Sequence, residues 1–257
     1  MNAETPKAAE LNLPQAFLLL ATNDTTGKPE IPVFALRTTV AGAILAELDL
    51  IDAIELQGQN VMATGATPPT DLQHELELIR GKSRPHAPKR WVSMLEGRAE
   101  VQRIYEGMAS RGIVEHVGEK HLGLFRTVRY PEKDHNPEAA LLKKIEAALS
   151  GPPSNPEAPD FTAADAGTTD PGMPDAVPSE STKPEDAAPV AEPVSKAPDD
   201  RTTALIALLQ AAGLLGKLFP AADLTWANEL SWDYWPSRAV EDELRMIRIA
   251  QQEAANL

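Results

Sequence analysis

Arg80, Lys82, Arg84, Lys89 and Arg90 fall within eleven consecutive residues, with His86 among them. Arg98 and Arg103 follow on the next helical segment, and Arg111 closes it. Arg126 and Arg129 stand in RGIVEHVGEKHLGLFRTVRYP, which runs from Arg111 to Pro131. Guanidinium and ammonium groups acting together are the side chains that hold phosphate-bearing anions, the guanidinium often through paired hydrogen bonds. Arg90, Arg98, Arg103, Arg126 and Arg129 are therefore the candidate ligands for such an anion. Glu96, Glu100 and Glu106 are interleaved with them, the pattern that a solvated, charge-balanced surface would also give.

Other chemistry is poorly represented. The chain has no cysteine, which removes disulfides and thiolate catalysis. HELEL at His74 lacks the second histidine of a zinc-protease helix, and GLLGK (Gly213 to Lys217) lacks the spacing of a phosphate loop. His116 and His121 are read as flanking a hairpin turn whose tip is GEKH. Two imidazoles without a third ligand make a weak metal site. No catalytic, cofactor or metal residue is assigned, and the expectation is a protein that is not an enzyme.

The formal charge is -14, but it is concentrated. Residues 151–200 hold 2 Lys/Arg against 11 Asp/Glu, whereas residues 1–150 hold 17 against 20 and residues 201–257 hold 5 against 7. The bulk of the chain is near neutral and can carry a basic face. Residues 151–200 also hold 11 prolines and one aromatic residue, Phe161. Such a stretch buries too little apolar area to offset its ordering entropy, so it is expected to be a disordered acidic insert. Residues 1–10 read as a flexible tail without the cationic start of a signal peptide. Residues 11–150 and 201–257 are expected to form one domain around the insert, cytoplasmic or peripheral on the cytoplasmic face of a membrane.

Periodicity makes that domain mainly α with short β-hairpins. LPQAFLLLAT is a helix opened by proline. Val40, Ile44 and Leu48 recur four apart on a second. DAIELQGQNVMAT alternates around a turn as a hairpin, and TDLQHELELIR is a helix with an Asp/Thr cap. GKSRPHAPKR is a basic loop, RAEVQRIYEGMASRG a helix ending at Gly112, and NPEAALLKKIEAALS a capped helix. The stretch from Thr203 to Phe219 is apolar almost all round, as a core helix would be. SRAVEDELRMIRIAQQEAANL is a surface helix.

LPQAFLLLATNDTTGK, AGAILAELDLIDAIEL, MASRGIVE…KHLGLFRTVRYP and DRTTALIALLQAAGLLGKLFP together resemble the bacterial branch of the Golgi phosphoprotein 3 family. AVEDEL fits its last helix more loosely. The resemblance implies a mostly helical domain whose β-hairpin mediates oligomer contacts and approaches the membrane. It also implies an adaptor, since eukaryotic members bind phosphatidylinositol 4-phosphate and retain glycosyltransferases. Carried over position by position, the family's loop tryptophan falls at Pro32 and an arginine of the following helix at Ala41. Of two further arginines, one matches Arg98 and the other falls at Val101. The headgroup set is thus incomplete, and the identity of the lipid is open.

The first expectation is an adaptor with an anionic phospholipid headgroup and a membrane surface as partners, together with a client protein and homo-oligomer contacts. In that reading Leu122, Leu124 and Phe125 of the hairpin pack or insert beside Arg126 and Arg129. A protein-binding scaffold without a lipid role is the alternative. A winged-helix nucleic-acid binder is a further one, disfavoured because Glu100 and Glu106 share the helix before the wing.

Overall fold

The computed structural model describes residues 10–121, 125–150 and 198–255, with residues 119–121, 125–127 and 255 described by backbone alone. The expected tail up to residue 9, the insert over 151–197 and the hairpin residues Leu122 and Leu124 lie outside the described residues.

Helix α1 (Leu13–Leu20) begins with a capping box, in which the Asn12 side chain accepts the Gln15 N–H and the Gln15 side chain accepts the Asn12 N–H. This satisfies two of the donors that a helix start leaves open. All eight of its residues are buried. Helix α2 (Val33–Leu50) carries the expected Val40, Ile44 and Leu48 at 0% exposure. Its burial extends nearly all round, because α1, α4 (Pro88–Leu95), α7 (Asp200–Ala211) and α10 (Trp235–Ala255) all pack against it. A side chain such as Ile44 contributes roughly 1.5–3 kcal/mol by leaving water.

Helix α7 shares one apolar core with the residues before position 150. The Glu47 carboxylate, on α2, makes the join specific. It accepts two guanidinium bonds from Arg201 at the start of α7, one at 3.0 Å, and the Leu13 N–H at 2.8 Å. Three helices from both segments thus meet on one buried acid.

The remaining described elements are short: β1 (Ile54–Gln57) and β2 (Asn60–Ala63), α3 (Gln73–Arg80), α5 (Arg98–Ser110), β3 (Val117–His121) and β4 (Phe125–Arg129), α6 (Asn136–Leu149), α8 (Leu215–Leu218) and α9 (Leu224–Ser231). β1 pairs antiparallel with β2, and β3 with β4. Fold class therefore matches the sequence reading, with local differences. The apolar stretch from Thr203 to Phe219 is two helices, because Gly213 at φ +74° turns the chain between α7 and α8. Of the Asp/Thr pair expected to cap α3, neither caps the helix start, which falls at Leu72, but Thr70 Oγ1 accepts the Leu72 N–H at 3.1 Å. Pro88 starts α4, so Lys89 and Arg90 sit on a helical first turn and not in a loop. α9 has no counterpart in the sequence reading.

The second hairpin also differs. Gly118 to His121, expected at its tip, are strand residues of β3 paired with Phe125 to Val128. His116 precedes the strand and bonds Glu106 at 2.7 Å, so the two histidines do not flank a turn. The base of the hairpin is fixed to the domain. The Tyr130 N–H bonds the Gly27 carbonyl, Tyr130 stacks on Tyr105 at 4.3 Å, and the Tyr130 hydroxyl donates to Glu106 at 2.8 Å. Gly27 has φ +63°, and a Cβ there would lie 2.3 Å from the Pro131 nitrogen, so only glycine permits this approach.

Candidate functional site

The basic segment is held by two elements. The Val61 N–H of β2 bonds the His86 carbonyl at 2.9 Å, an isolated bridge that ties the loop after α3 to the first hairpin. Trp91 of α4 is 1% exposed and meets His86 edge to face at 5.7 Å. Between these anchors Lys82, Arg84 and Arg90 are exposed.

Two successive helices here begin with cations. α4 has Lys89 and Arg90 in its first turn and no side-chain cap, and α5 opens on Arg98 with none either. Positive charge at a helix start opposes the macrodipole and typically costs 0.3–1 kcal/mol per group. α4 has no acid in its first turn, whereas α5 has Glu100 in its own. Pro88 has no N–H and the Arg90 N–H bonds the Ala87 carbonyl at 2.9 Å, so the positive charge offered to an anion here is that of the exposed Arg90 and Arg98 side chains.

The candidate headgroup residues do not all join this surface. Arg90 and Arg98 are exposed, with no acidic partner among the described residues. Arg103 is committed elsewhere: its guanidinium bonds the Glu75 carboxylate and donates to the Asp71 carbonyl at 3.1 Å. The Glu75 side chain is 0% exposed, so Arg103 neutralises a buried acid. Arg129 is half-buried at the base of β4 and already engaged within the protein. The Arg126 and Phe125 side chains lie outside the described ones. At the family's headgroup positions, Pro32 is exposed while Ala41 and Val101 are buried. Beside them the Thr38 hydroxyl donates to Glu96 at 2.8 Å. Burial, opposed by that bond, raises the Glu96 carboxyl, and nearby Glu243 raises it further. Arg37 opposes that rise, and Glu243 pairs with Lys89 at 3.9 Å, so acids and cations alternate here.

Two cavities differ in character. One of 590 Å³ is lined by Arg111, Lys144 and Arg201; Lys144 and Arg201 pair with Glu10 and Glu47, and Arg111 donates to the Gln15 amide oxygen at 2.9 Å. Another of 270 Å³ lies within the basic segment, lined by Arg80, Lys82 and Arg84 and by no acid.

Sequence reasoning missed one titratable cluster. Asp24, Glu132, His135 and Glu138 bring their ligand-type atoms within 4.8 Å of one another. The donor types would suit a divalent cation. Burial first, then the carboxylates of Asp24 and Glu132, push the Glu138 carboxyl up to about 8, so a proton already relieves the repulsion at neutral pH. Asp24 lies more than a hundred residues from the others, and no local spacing could reveal the group.

A family model for Golgi phosphoprotein 3 (GPP34) matches residues 13–247. The mostly helical domain, the paired short hairpins and that match over nearly the whole chain place it: the protein belongs to the Golgi phosphoprotein 3 family. A search of curated proteins finds no match. Among the described residues no helix is long and apolar enough to cross a membrane.

Proposed function

We propose that this chain is a non-enzymatic adaptor that docks peripherally on anionic phospholipid through the basic segment from Lys82 to Arg98. Family membership supports an adaptor. The observation that carries the lipid reading is the pair of exposed cations Arg90 and Arg98, set in the first turns of two successive helices that have no side-chain cap. Lys82 and Arg84 extend the same charge along the chain. Each cation near an anionic leaflet is worth about 1 kcal/mol, so several acting together give a reversible peripheral attachment. Arg103 is not part of this surface, because its charge is spent on Glu75.

Flotation tests the reading. The protein is expected to rise with phosphatidylcholine vesicles containing phosphatidylserine and not with phosphatidylcholine alone. Equal flotation on both, or on neither, would remove it.

A further inference from the structure

Asp24, Glu132, His135 and Glu138 come from three segments that the backbone ties together. The Glu132 N–H bonds the Asp24 carbonyl at 2.8 Å and the Tyr130 N–H bonds the Gly27 carbonyl at 3.2 Å, so the turn after α1 lies along the base of the second hairpin. The Lys133 N–H bonds the Ile113 carbonyl at 2.9 Å, and the Asp134 side chain accepts the Asn136 N–H at 3.1 Å at the start of α6. His135 and Glu138 stand three apart there and so share a face. The fold thus brings three carboxylates and one imidazole to a single point, with their ligand-type atoms all within 4.8 Å of one another.

Glu132 carries the argument. Its side chain is 2% exposed, and neither carboxylate oxygen accepts a hydrogen bond. The His135 Nδ1 lies against one of them outside hydrogen-bonding geometry. The other buried acids are treated differently: Glu47 is paired with Arg201 and Glu75 with Arg103. Glu132 instead faces His135, Asp24 and Glu138. A buried charged acceptor left without a donor is costly, and in a native protein an unmatched group of this kind points to a missing partner such as an ion.

We propose that these four residues bind a divalent transition-metal ion of the zinc kind, as a staple between the turn after α1, the base of the second hairpin and α6. Three carboxylate oxygens and one imidazole nitrogen are donors that zinc takes, and four is the number of a closed structural site. At about 2.0–2.2 Å from one ion, any two donors lie at most about 4.4 Å apart. The side chains therefore need to close by no more than about 0.4 Å. The imidazole sets the ion apart from Ca²⁺ and Mg²⁺, which take oxygen donors in sixes or more. The general order of affinities places Zn²⁺ above Mn²⁺. Entry is open, since Asp24 and His135 are exposed while the Glu132 side chain and Glu138 are buried. The site is independent of the membrane reading above.

The experiment uses the full chain without a histidine tag, stripped of metal with EDTA and then freed of the chelator. ZnCl₂ is titrated by calorimetry into the wild type, His135→Ala, Glu132→Gln and the control His74→Ala, and each protein is melted with and without the ion. The expected result is one Zn²⁺ per chain, with a Kd that excess Mg²⁺ or Ca²⁺ leaves unmoved. Binding should weaken at least tenfold in His135→Ala and in Glu132→Gln. His74 is exposed on α3, and His74→Ala should bind as the wild type does. With zinc at a hundred times Kd, the wild-type Tm should rise by about 5–11 °C. At the same zinc concentration His135→Ala should gain about half of that or less. His135 is exposed, so its replacement keeps the fold, and Glu132→Gln keeps the shape while removing the charge. Zinc binding that both variants leave unchanged would place the ion elsewhere and overturn the inference, and so would the absence of saturable binding. Binding without a rise in Tm would overturn it as well, because an ion that joins three segments of the fold must favour the folded chain.

Discussion

Replacing Arg103 with Ala separates a structural cation from a ligand-binding one. Its partner Glu75 has a fully buried side chain, whereas the Arg103 side chain is 40% exposed. Removing the guanidinium strands a carboxylate that cannot reach water and also removes the donor to the Asp71 carbonyl. Breaking a buried ion pair from one side costs about 3–5 kcal/mol. Partial exposure of Arg103 admits some solvent, so the low end, about 3 kcal/mol, is expected. For a domain of this size each kcal/mol shifts Tm by about 2–4 °C, giving a loss of about 6–12 °C. Urea unfolding of wild type, Arg103→Ala, Glu75→Gln and the double variant measures the coupling directly. Arg103→Ala should be rescued in large part by Glu75→Gln, because the stranded charge is then gone. Arg90→Ala, by contrast, should stay within about 0.5 kcal/mol of wild type, as surface substitutions do. Stability of Arg103→Ala within that same margin would refute the assignment and return Arg103 to the binding surface.

Three further outcomes follow from particular features. The Glu138 carboxyl, raised from 4.5 to about 8, holds in the folded state a proton that the unfolded chain releases above about 4.5. Its stability contribution is full below the unfolded value and is lost as pH rises toward about 8, so Tm should fall over that window and Glu138→Gln should flatten the fall. An unchanged profile in Glu138→Gln would assign the dependence elsewhere. Deleting Ser154 to Lys196 should change stability by no more than about 1 kcal/mol, since loop-closure entropy grows with the logarithm of length; a large loss on thermal melting would show that the insert is packed. Replacing Leu124 and Phe125 with Ser should favour monomers if the second hairpin joins subunits. Sedimentation equilibrium decides this, and a monomeric wild type across the micromolar range would remove the assembly role.

Much of the fold was legible because its signals are local. The proline that opens α1, the four-residue spacing of Val40, Ile44 and Leu48, and the alternation of β1 and β2 each specify an element from within a few residues. The errors fell where a single backbone choice decides. Gly213 splits one apolar run into two helices, and Gly118 to His121, whose charges suggested a tip, are strand residues of β3. For the site, sequence located the basic segment but could not sort its members. Arg90 and Arg103 look alike in sequence, and only packing shows that Arg103 faces Glu75, which lies 28 residues away.

Salt dependence of vesicle binding in Arg90→Ala/Arg98→Ala, beside the wild type, tests the central claim most directly. Two cations near an anionic surface are worth about 2 kcal/mol together, which is roughly thirty-fold in affinity. On phosphatidylcholine vesicles containing phosphatidylserine, the double variant should bind roughly thirty-fold more weakly at low salt. The gap should narrow as salt is added, since exposed charges are screened beyond about 8 Å at physiological ionic strength. Equal affinity of the two proteins at low salt, or a gap that added salt leaves unchanged, would contradict docking through the exposed cations of α4 and α5.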